Sequence, residues 1–362
     1  MTAVQAIARI PATPIRELVC HPRLPLVAGI ELDRPAVHVY YAERVLREIG
    51  AVGAEYGKLK DRPALAWHPE RPELVWSVGG ETVRWTRTGA SALDVAVSDH
   101  VAFSSDGQSL WTSPTPPDLF DRSDAIDLNT GAIAPAPMWD TGIAAHPAGG
   151  LVATLQSDQG ATFVLFSRPG DRLRFLDRAL ILDADGYGPP VFSSDGRYLA
   201  IRGNAYEHLV LVFEFPSLRR TLKTSLSPAP GDRADPKRLK EFFSWSWLNI
   251  AFGARPGTLW IGTPSGTLLE LAVERDHITE HKLLRSAVTA LAATSAGDLV
   301  VAGDGELALV PVPAPRTVAD PATVAEFLAS TTEIPDDGLP EDHIVYTDGV
   351  RTWHPENPGH DR

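Results

Sequence analysis

The residues best suited to bind another molecule are acidic and aromatic side chains that gather in a few long, irregular segments. They are Phe120, Asp121, Asp124, Asp183, Asp185, Tyr187, Tyr206 and Glu207. Aromatic rings anchor protein interfaces, and carboxylates attract cationic groups. The pattern therefore predicts a site for a protein or peptide that carries a basic patch. The alternative interpretation is that these acids only solvate the surface.

A basic segment adds a second candidate for partner binding. Lys237, Arg238 and Lys240 follow Asp235-Pro236, a pair that is typical of a helix start, and aromatic residues come directly after them at 242–247. One interpretation is a patch of cations and aromatic rings for a partner. The other is a solvated helix above Phe243, Trp245 and Trp247 packed in the core.

The sequence contains none of the common catalytic or cofactor-binding motifs. A nucleophile elbow, a phosphate-binding loop, a zinc-protease helix and a dinucleotide glycine pattern are all missing. His21, His68 and His146 each precede a proline in equivalent turns, which indicates turn chemistry rather than a metal site. The stretch 183–188 begins like a calcium loop but lacks its closing glutamate. We therefore predict no catalytic residue, no metal ion and no cofactor.

The elements that must position these residues are short strands in a repeating unit. The tetrapeptide Ser-Ser-Asp-Gly occurs at 104–107 and at 193–196, each time between two apolar strand-like runs. Equivalent turns recur along the chain near Pro22, Pro69, Ser105, Pro147, Ser194, Arg255 and Ala296. Most steps lie near the ~40–45 residues of a four-stranded propeller blade. The sequence thus predicts an all-β, seven-bladed β-propeller, with six or eight blades as the alternatives.

Residues 4–313 resemble the WD40 family of β-propellers. The resemblance rests on the Phe-Ser-x-Asp-Gly turns at 103–107 and 192–196, and on the segment Ala-Ile-Asp-Leu-Asn-Thr-Gly at 125–131. Ile126-Asp127 stands where the family has Trp-Asp at the end of a third strand. The resemblance implies a WD40-like ring, and most members of the family are non-catalytic interaction platforms.

Strand counting predicts how the ring closes and where the chain ends. The propeller is assigned to residues 1–316, and strand 4–10 is expected to complete the last blade, which would remove an exposed edge. Residues 317–353 should form a short helix and a β-hairpin packed on the propeller. The helix is expected from Asp320-Pro321, and the hairpin from Asp348-Gly349. Residues 354–362 are expected to be a disordered tail.

Composition limits the partner and the compartment. The formal net charge of −13 argues against general nucleic-acid binding. The 362 residues show neither a signal peptide nor a membrane span, so we expect a cytoplasmic protein.

Topology selects one face of the ring as the functional one. In a four-stranded meander, second-to-third turns and blade-to-blade links lie on one face, and the long segments 114–124, 157–161, 183–190, 203–208 and 225–242 belong to it. Because loops on a rigid scaffold carry function, we expect a non-enzymatic scaffold that binds a protein or peptide through this face of blades 3–6. The alternatives are a metal-dependent propeller hydrolase or lactonase, and a small-molecule sensor module.

Overall fold

The computed structural model is a ring of seven sheets arranged around an axis. It describes residues 4–53, 64–78, 81–95, 98–114, 123–136, 141–158, 160–170, 173–203, 208–226, 245, 248–275, 277–314, 317–335 and 343–354. The ring is a seven-bladed β-propeller, and this confirms the predicted fold class.

The strands of blades 1 to 7 follow one another in chain order, after a first strand, β1 (Ala8–Pro11), that stands before blade 1. Blade 1 contains β2 (Ile15–Cys20), β3 (Leu26–Glu31), β4 (Ala36–Ala42) and β5 (Leu46–Gly53). Blade 2 contains β6 (Ala64–Trp67), β7 (Glu73–Val78), β8 (Glu81–Thr86) and β9 (Gly89–Leu93). Blade 3 contains β10 (Ser98–Phe103), β11 (Ser109–Pro114), β12 (Ser123–Asp127) and β13 (Ile133–Ala136). Blade 4 contains β14 (Thr141–Ala145), β15 (Val152–Asp158), β16 (Ala161–Arg168) and β17 (Arg174–Leu182). Blade 5 contains β18 (Val191–Phe192), β19 (Tyr198–Arg202), β20 (Leu209–Glu214) and β21 (Arg220–Ser225). Blade 6 contains β22 (Ile250–Phe252), β23 (Thr258–Gly262), β24 (Thr267–Ala272) and β25 (His277–Lys282). Blade 7 contains β26 (Ala290–Ala293), β27 (Leu299–Gly303) and β28 (Glu306–Val310).

The ring is closed by the first strand of the chain. β1 pairs antiparallel with β28, with Ala8 opposite Leu309 and Pro11 opposite Glu306. It therefore supplies the fourth strand of blade 7, and the edge of β28 is covered.

The core lies between neighbouring blades rather than in one central layer. Each of seven buried clusters joins apolar residues of two adjacent blades, as where Trp260 of blade 6 packs with Leu299 and Val301 of blade 7. Trp111 and Trp260 are among the largest fully buried side chains. Burial of an aromatic side chain of this size contributes about 1.5–3 kcal/mol or more, so contacts between blades hold the ring together.

The Ser-x-Asp-Gly turns form for local chemical reasons. The Asp195 carboxylate accepts hydrogen bonds from the Ser193 hydroxyl at 2.6 Å and from the Arg197 backbone N–H at 3.2 Å. Gly196 has φ +72°, a conformation that other residues rarely adopt. In the equivalent turn of blade 3, the hydrogen bond from Ser104 lowers the pKa of Asp106.

Two of the three histidines in equivalent turns, His21 and His146, have structural roles, as the turn interpretation expects. Nδ1 of His146 accepts the Ala148 N–H, so Nε2 carries the proton and donates to the Gly196 carbonyl of blade 5 at 3.1 Å. His21 does the same in blade 1, where Nε2 lies 2.9 Å from the Arg71 carbonyl of blade 2. Burial lowers the pKa of both histidines, which keeps them neutral near pH 7. They join neighbouring blades.

The C-terminal region extends blade 4. Helix α1 (Pro321–Ala329) begins after Asp320, whose carboxylate accepts the Ala322 N–H. β29 (Val345–Thr347) then pairs in parallel with β17, and β30 (Thr352–Trp353) pairs antiparallel with β29. Blade 4 therefore has six strands, and the helix and hairpin that the sequence predicts are both present.

Candidate functional site

The two faces of the ring differ in how they are used. We call the face with the first-to-second and third-to-fourth turns the short-turn face, and the opposite one the long-loop face. The chain's own C-terminal segment runs over the short-turn face. It starts at blade 7, where the Val312 N–H donates to the Asp298 carboxylate at 3.0 Å, and it reaches blade 5, where a Cβ placed on Gly196 would lie 3.4 Å from the Ala319 Cβ.

Helix α1 is firmly attached to this face below blades 4 and 5. Phe327 is fully buried, and its ring centroid lies 5.0 Å from those of Phe166 and Phe215. The Arg178 guanidinium covers the Phe327 ring at 5.0 Å and donates to the Ser330 hydroxyl at 2.7 Å. Burial lowers the pKa of Arg178. The short-turn face of these two blades is therefore occupied by the chain itself.

A funnel of about 910 Å³ runs along the axis. The first strand of every blade lines it, and within those strands the lining residues other than Glu17 and His100 are apolar. Residues 317–319 border it on the short-turn side. In the part of the chain that the structure describes, no three His, Cys, Asp or Glu side chains lie close enough together to hold a metal ion.

On the long-loop face, the structure places three of the predicted acids. Asp183 and Asp185 are exposed in the link from blade 4 to blade 5, and the Asp183 carboxylate lies 2.8 Å from Nζ of Lys223. Asp124 lies in β12 of blade 3, half-buried and opposite Thr112. The three carboxylates therefore belong to blades 3 to 5.

Tyr187 does not match the expectation of an exposed aromatic anchor. Only 3% of its surface is exposed, and it packs with Leu182 and Ile201 in the core between blades 4 and 5. Burial raises the pKa of its phenol. Gly203 lies against the ring, since a Cβ added there would meet it at 3.1 Å. Sequence reasoning missed this because the tyrosine lies in a link, where exposure is the usual outcome.

The remaining predicted site residues lie outside the described part of the chain. They are Phe120, Asp121, Tyr206, Glu207, Lys237, Arg238 and Lys240, and tail residues 355–362 also lie outside it.

A buried cation on the long-loop side was not anticipated from the sequence. Arg202 is 1% exposed, and its guanidinium lies 3.9 Å from the ring centroid of Trp245, which is itself buried. Burial lowers the pKa of Arg202 to about 9. It also lowers the pKa of His208 to about 4, with the Arg202 charge as the second cause. Trp245 itself is buried in the core, so core packing rather than partner binding is the role observed for this residue.

Comparisons with known proteins find the fold but no close relative. No protein-family model matches the chain, and neither does any curated protein. Among solved structures, the β-propeller domain of Cps50 (Swd1) from Myceliophteria thermophila is similar, with a TM-score of 0.60 and 10% identity over 86% of this chain and 100% of that one. Hydrazine synthase from Kuenenia stuttgartiensis is also similar, with a TM-score of 0.59 and 12% identity over 86% of this chain and 98% of that one.

Four observations indicate the same architecture. They are the seven sheets, six of four strands and one of six, the Ser-x-Asp-Gly turns, the closing strand and the likeness to these propellers. None of the helical segments that the structure describes has the length and apolarity to cross a bilayer. The chain has the fold of a WD40-like, seven-bladed β-propeller.

Proposed function

We propose that this protein is a non-enzymatic scaffold that binds a protein or peptide with a basic patch through the long-loop face of blades 3–6. The observation that carries the proposal is the path of the C-terminal segment. That segment covers part of the short-turn face between blade 7 and blade 4, so a partner that binds the opposite face does not have to displace it.

The charge of the described residues supports a cationic partner. The Asp183 side chain is 63% exposed, Asp185 is exposed as well, and the net charge of the chain is −13. Exposed carboxylates of this kind steer a basic partner and raise its association rate more than its final affinity. The Lys223 ammonium next to Asp183 neutralises part of this charge, so Asp121, Asp124 and Asp185 are the acids to change.

The test is capture of partners from an extract of the native cell by the immobilised chain. The variant D121K/D124K/D185K should retain less than about one tenth of the captured partner, because reversal of three carboxylate charges turns attraction into repulsion. The matched control E43K/E70K/E326K changes the net charge equally with exposed residues of the short-turn side. It should capture the partner as the wild type does.

Two outcomes would overturn the proposal. One is undiminished capture by D121K/D124K/D185K at low salt. The other is an equal loss with both variants, because this would mean that only overall charge matters. Far-ultraviolet circular dichroism and thermal unfolding of both variants exclude loss of folding as the cause.

A further inference from the structure

A small cleft between blades 2 and 3 combines two arginines with an apolar wall. It has a volume of about 120 Å³ and is lined by Arg71, Glu73 and Arg84 on one side. Val75, Leu93 and Leu128 provide the apolar side. None of these residues belongs to the long loops of the opposite face, and the cleft lies away from helix α1.

One of the arginines is fixed by a buried carboxylate. The Glu73 side chain is 6% exposed and accepts a hydrogen bond from Nη2 of Arg84 at 2.9 Å, and Nε of Arg84 forms an ion pair with its other oxygen at 2.7 Å. This charge-assisted pair holds the Arg84 guanidinium against the buried carboxylate. Nη1 of Arg84 has no acceptor among the described residues, so it remains available as a donor in the cleft.

The second arginine is only loosely attached. Nε of Arg71 lies 3.5 Å from the Glu73 carboxylate, beyond a good hydrogen bond, and 53% of the side chain is exposed. Nε is also 2.9 Å from Nε2 of His68. Nδ1 of His68 accepts the backbone N–H groups of Glu70 and Arg71, so its proton is on Nε2, and this contact joins two donors. Within the described chain, the terminal amino groups of Arg71 donate to no protein acceptor.

Charge and size define what the cleft can accept. Two guanidinium groups and one carboxylate leave a single positive charge, which a monoanion balances and a dianion would exceed. A cavity of about 150 Å³ holds benzene, so about 120 Å³ suits a ligand of roughly six non-hydrogen atoms. The apolar wall favours a short aliphatic body.

We propose that this cleft binds the carboxylate of a short aliphatic acid, with Arg71 and Arg84 as donors and Val75, Leu93 and Leu128 against the alkyl chain. Two kinds of ligand present such a carboxylate. One is a free short-chain acid, and the other is a peptide whose glutamate side chain ends in the same carboxylate. The inference does not rest on the proposed function, since it concerns other residues on another part of the ring.

The experiment is a nuclear magnetic resonance titration of the full chain, observing the arginine Nε–Hε signals. Sodium butyrate should shift the signals of Arg71 and Arg84, whereas equal concentrations of butyramide or sodium chloride should not. The blocked peptide acetyl-Gly-Glu-Gly-amide is the second probe. Tighter binding of the peptide assigns the site to a polypeptide ligand, and tighter binding of butyrate assigns it to a free acid.

The variant R71Q should bind butyrate about tenfold more weakly, because one charge-assisted donor is lost. It leaves the pair of Glu73 and Arg84 intact, so it should unfold at the wild-type temperature. R197Q is the matched control, since Arg197 is also 53% exposed, lies in the equivalent turn of blade 5 and pairs with a glutamate, Glu274. Unchanged binding in R71Q, equal binding of butyramide, or the same shifts with sodium chloride alone would overturn the proposal.

Discussion

The ring of Phe327 in the C-terminal helix lies 5.0 Å from the ring of Phe215 in blade 5. Phe327 is fully buried there, between blades 4 and 5. Helix α1 is thus part of the same core cluster as the blades it covers. This contact explains why the short-turn face is occupied at this point, and it supports the assignment of partner binding to the other face.

Truncation of the helix anchor should destabilise the whole protein. F327A removes a fully buried aromatic side chain, and we expect the free energy of unfolding to fall by about 3–5 kcal/mol. Equilibrium unfolding in urea measures the loss. E326A changes the neighbouring, exposed position and should stay within about 0.5 kcal/mol of the wild type. Equal stabilities of F327A and E326A would mean that the helix does not contribute to the core.

Removal of the closing strand should open the ring. Deletion of residues 1–12 exposes the edge of β28, which then offers unpaired backbone groups to other molecules. We expect a lower unfolding temperature and self-association, measured by calorimetry and light scattering. Addition of a peptide with residues 4–14 should restore the unfolding temperature in proportion to its concentration. A truncated chain that is as stable and as monodisperse as the intact one would contradict this closure.

The glycine of the Ser-x-Asp-Gly turn in blade 5 should tolerate alanine poorly. Gly196 and Gly149 have φ of +72° and +78°, so alanine at either position costs about 1–2 kcal/mol in backbone strain. A Cβ on Gly196 would also lie 2.4 Å from the buried His146 ring, whereas Gly149 has no atom within 4 Å. G196A should therefore be about 1–3 kcal/mol less stable than G149A in urea unfolding. The same stability for both variants would show that His146 can move aside.

Stability should fall when the pH drops below about 6.5. Burial lowers the pKa of His208 to about 4, so the unfolded chain binds a proton that the folded chain does not bind. The free energy of unfolding should therefore decrease by about 1.4 kcal/mol per pH unit for this residue between pH 6.5 and 4, and rise again as the pH is raised.

The variant H208N isolates this effect, because asparagine tolerates the left-handed backbone, φ 49°, of this position and does not titrate. Urea unfolding at pH 7.5 and 5.5 should show a loss in the wild type that is larger by about 1 kcal/mol than in H208N. His21, His68 and His146, whose pKa values are also lowered by burial, contribute equally to both proteins. Identical losses in the two proteins would exclude His208 as a source of the pH dependence.

Local chemistry made much of the fold predictable. The turn at Ser193 and Asp195 is specified by hydrogen bonds within four residues, and its recurrence reveals the blade period. The N-terminal strand followed from counting, because a ring of seven blades lacked one strand. The helix start followed from Asp320, whose carboxylate accepts the Ala322 N–H.

Features that depend on three-dimensional neighbours were not predictable. Nothing in the sequence around Val345 indicates that this strand pairs in parallel with β17 and extends blade 4. Tyr187 lies in a link between blades, and its burial results from packing against Ile201 and Gly203, which no local pattern indicates. The cleft of Arg71 and Arg84 is likewise formed by two blades, and each residue alone looks like an ordinary surface arginine.

We propose that the partner binds on the long-loop face of blades 3–6. Hydrogen–deuterium exchange of the chain, alone and with its captured partner, tests this directly. We expect protection in peptides that cover 114–124, 183–190 and 203–208, and unchanged exchange in the turns at 68–72 and 253–257 and in helix α1. Protection of those turns or of the helix, with unchanged exchange at 183–190, would contradict the claim.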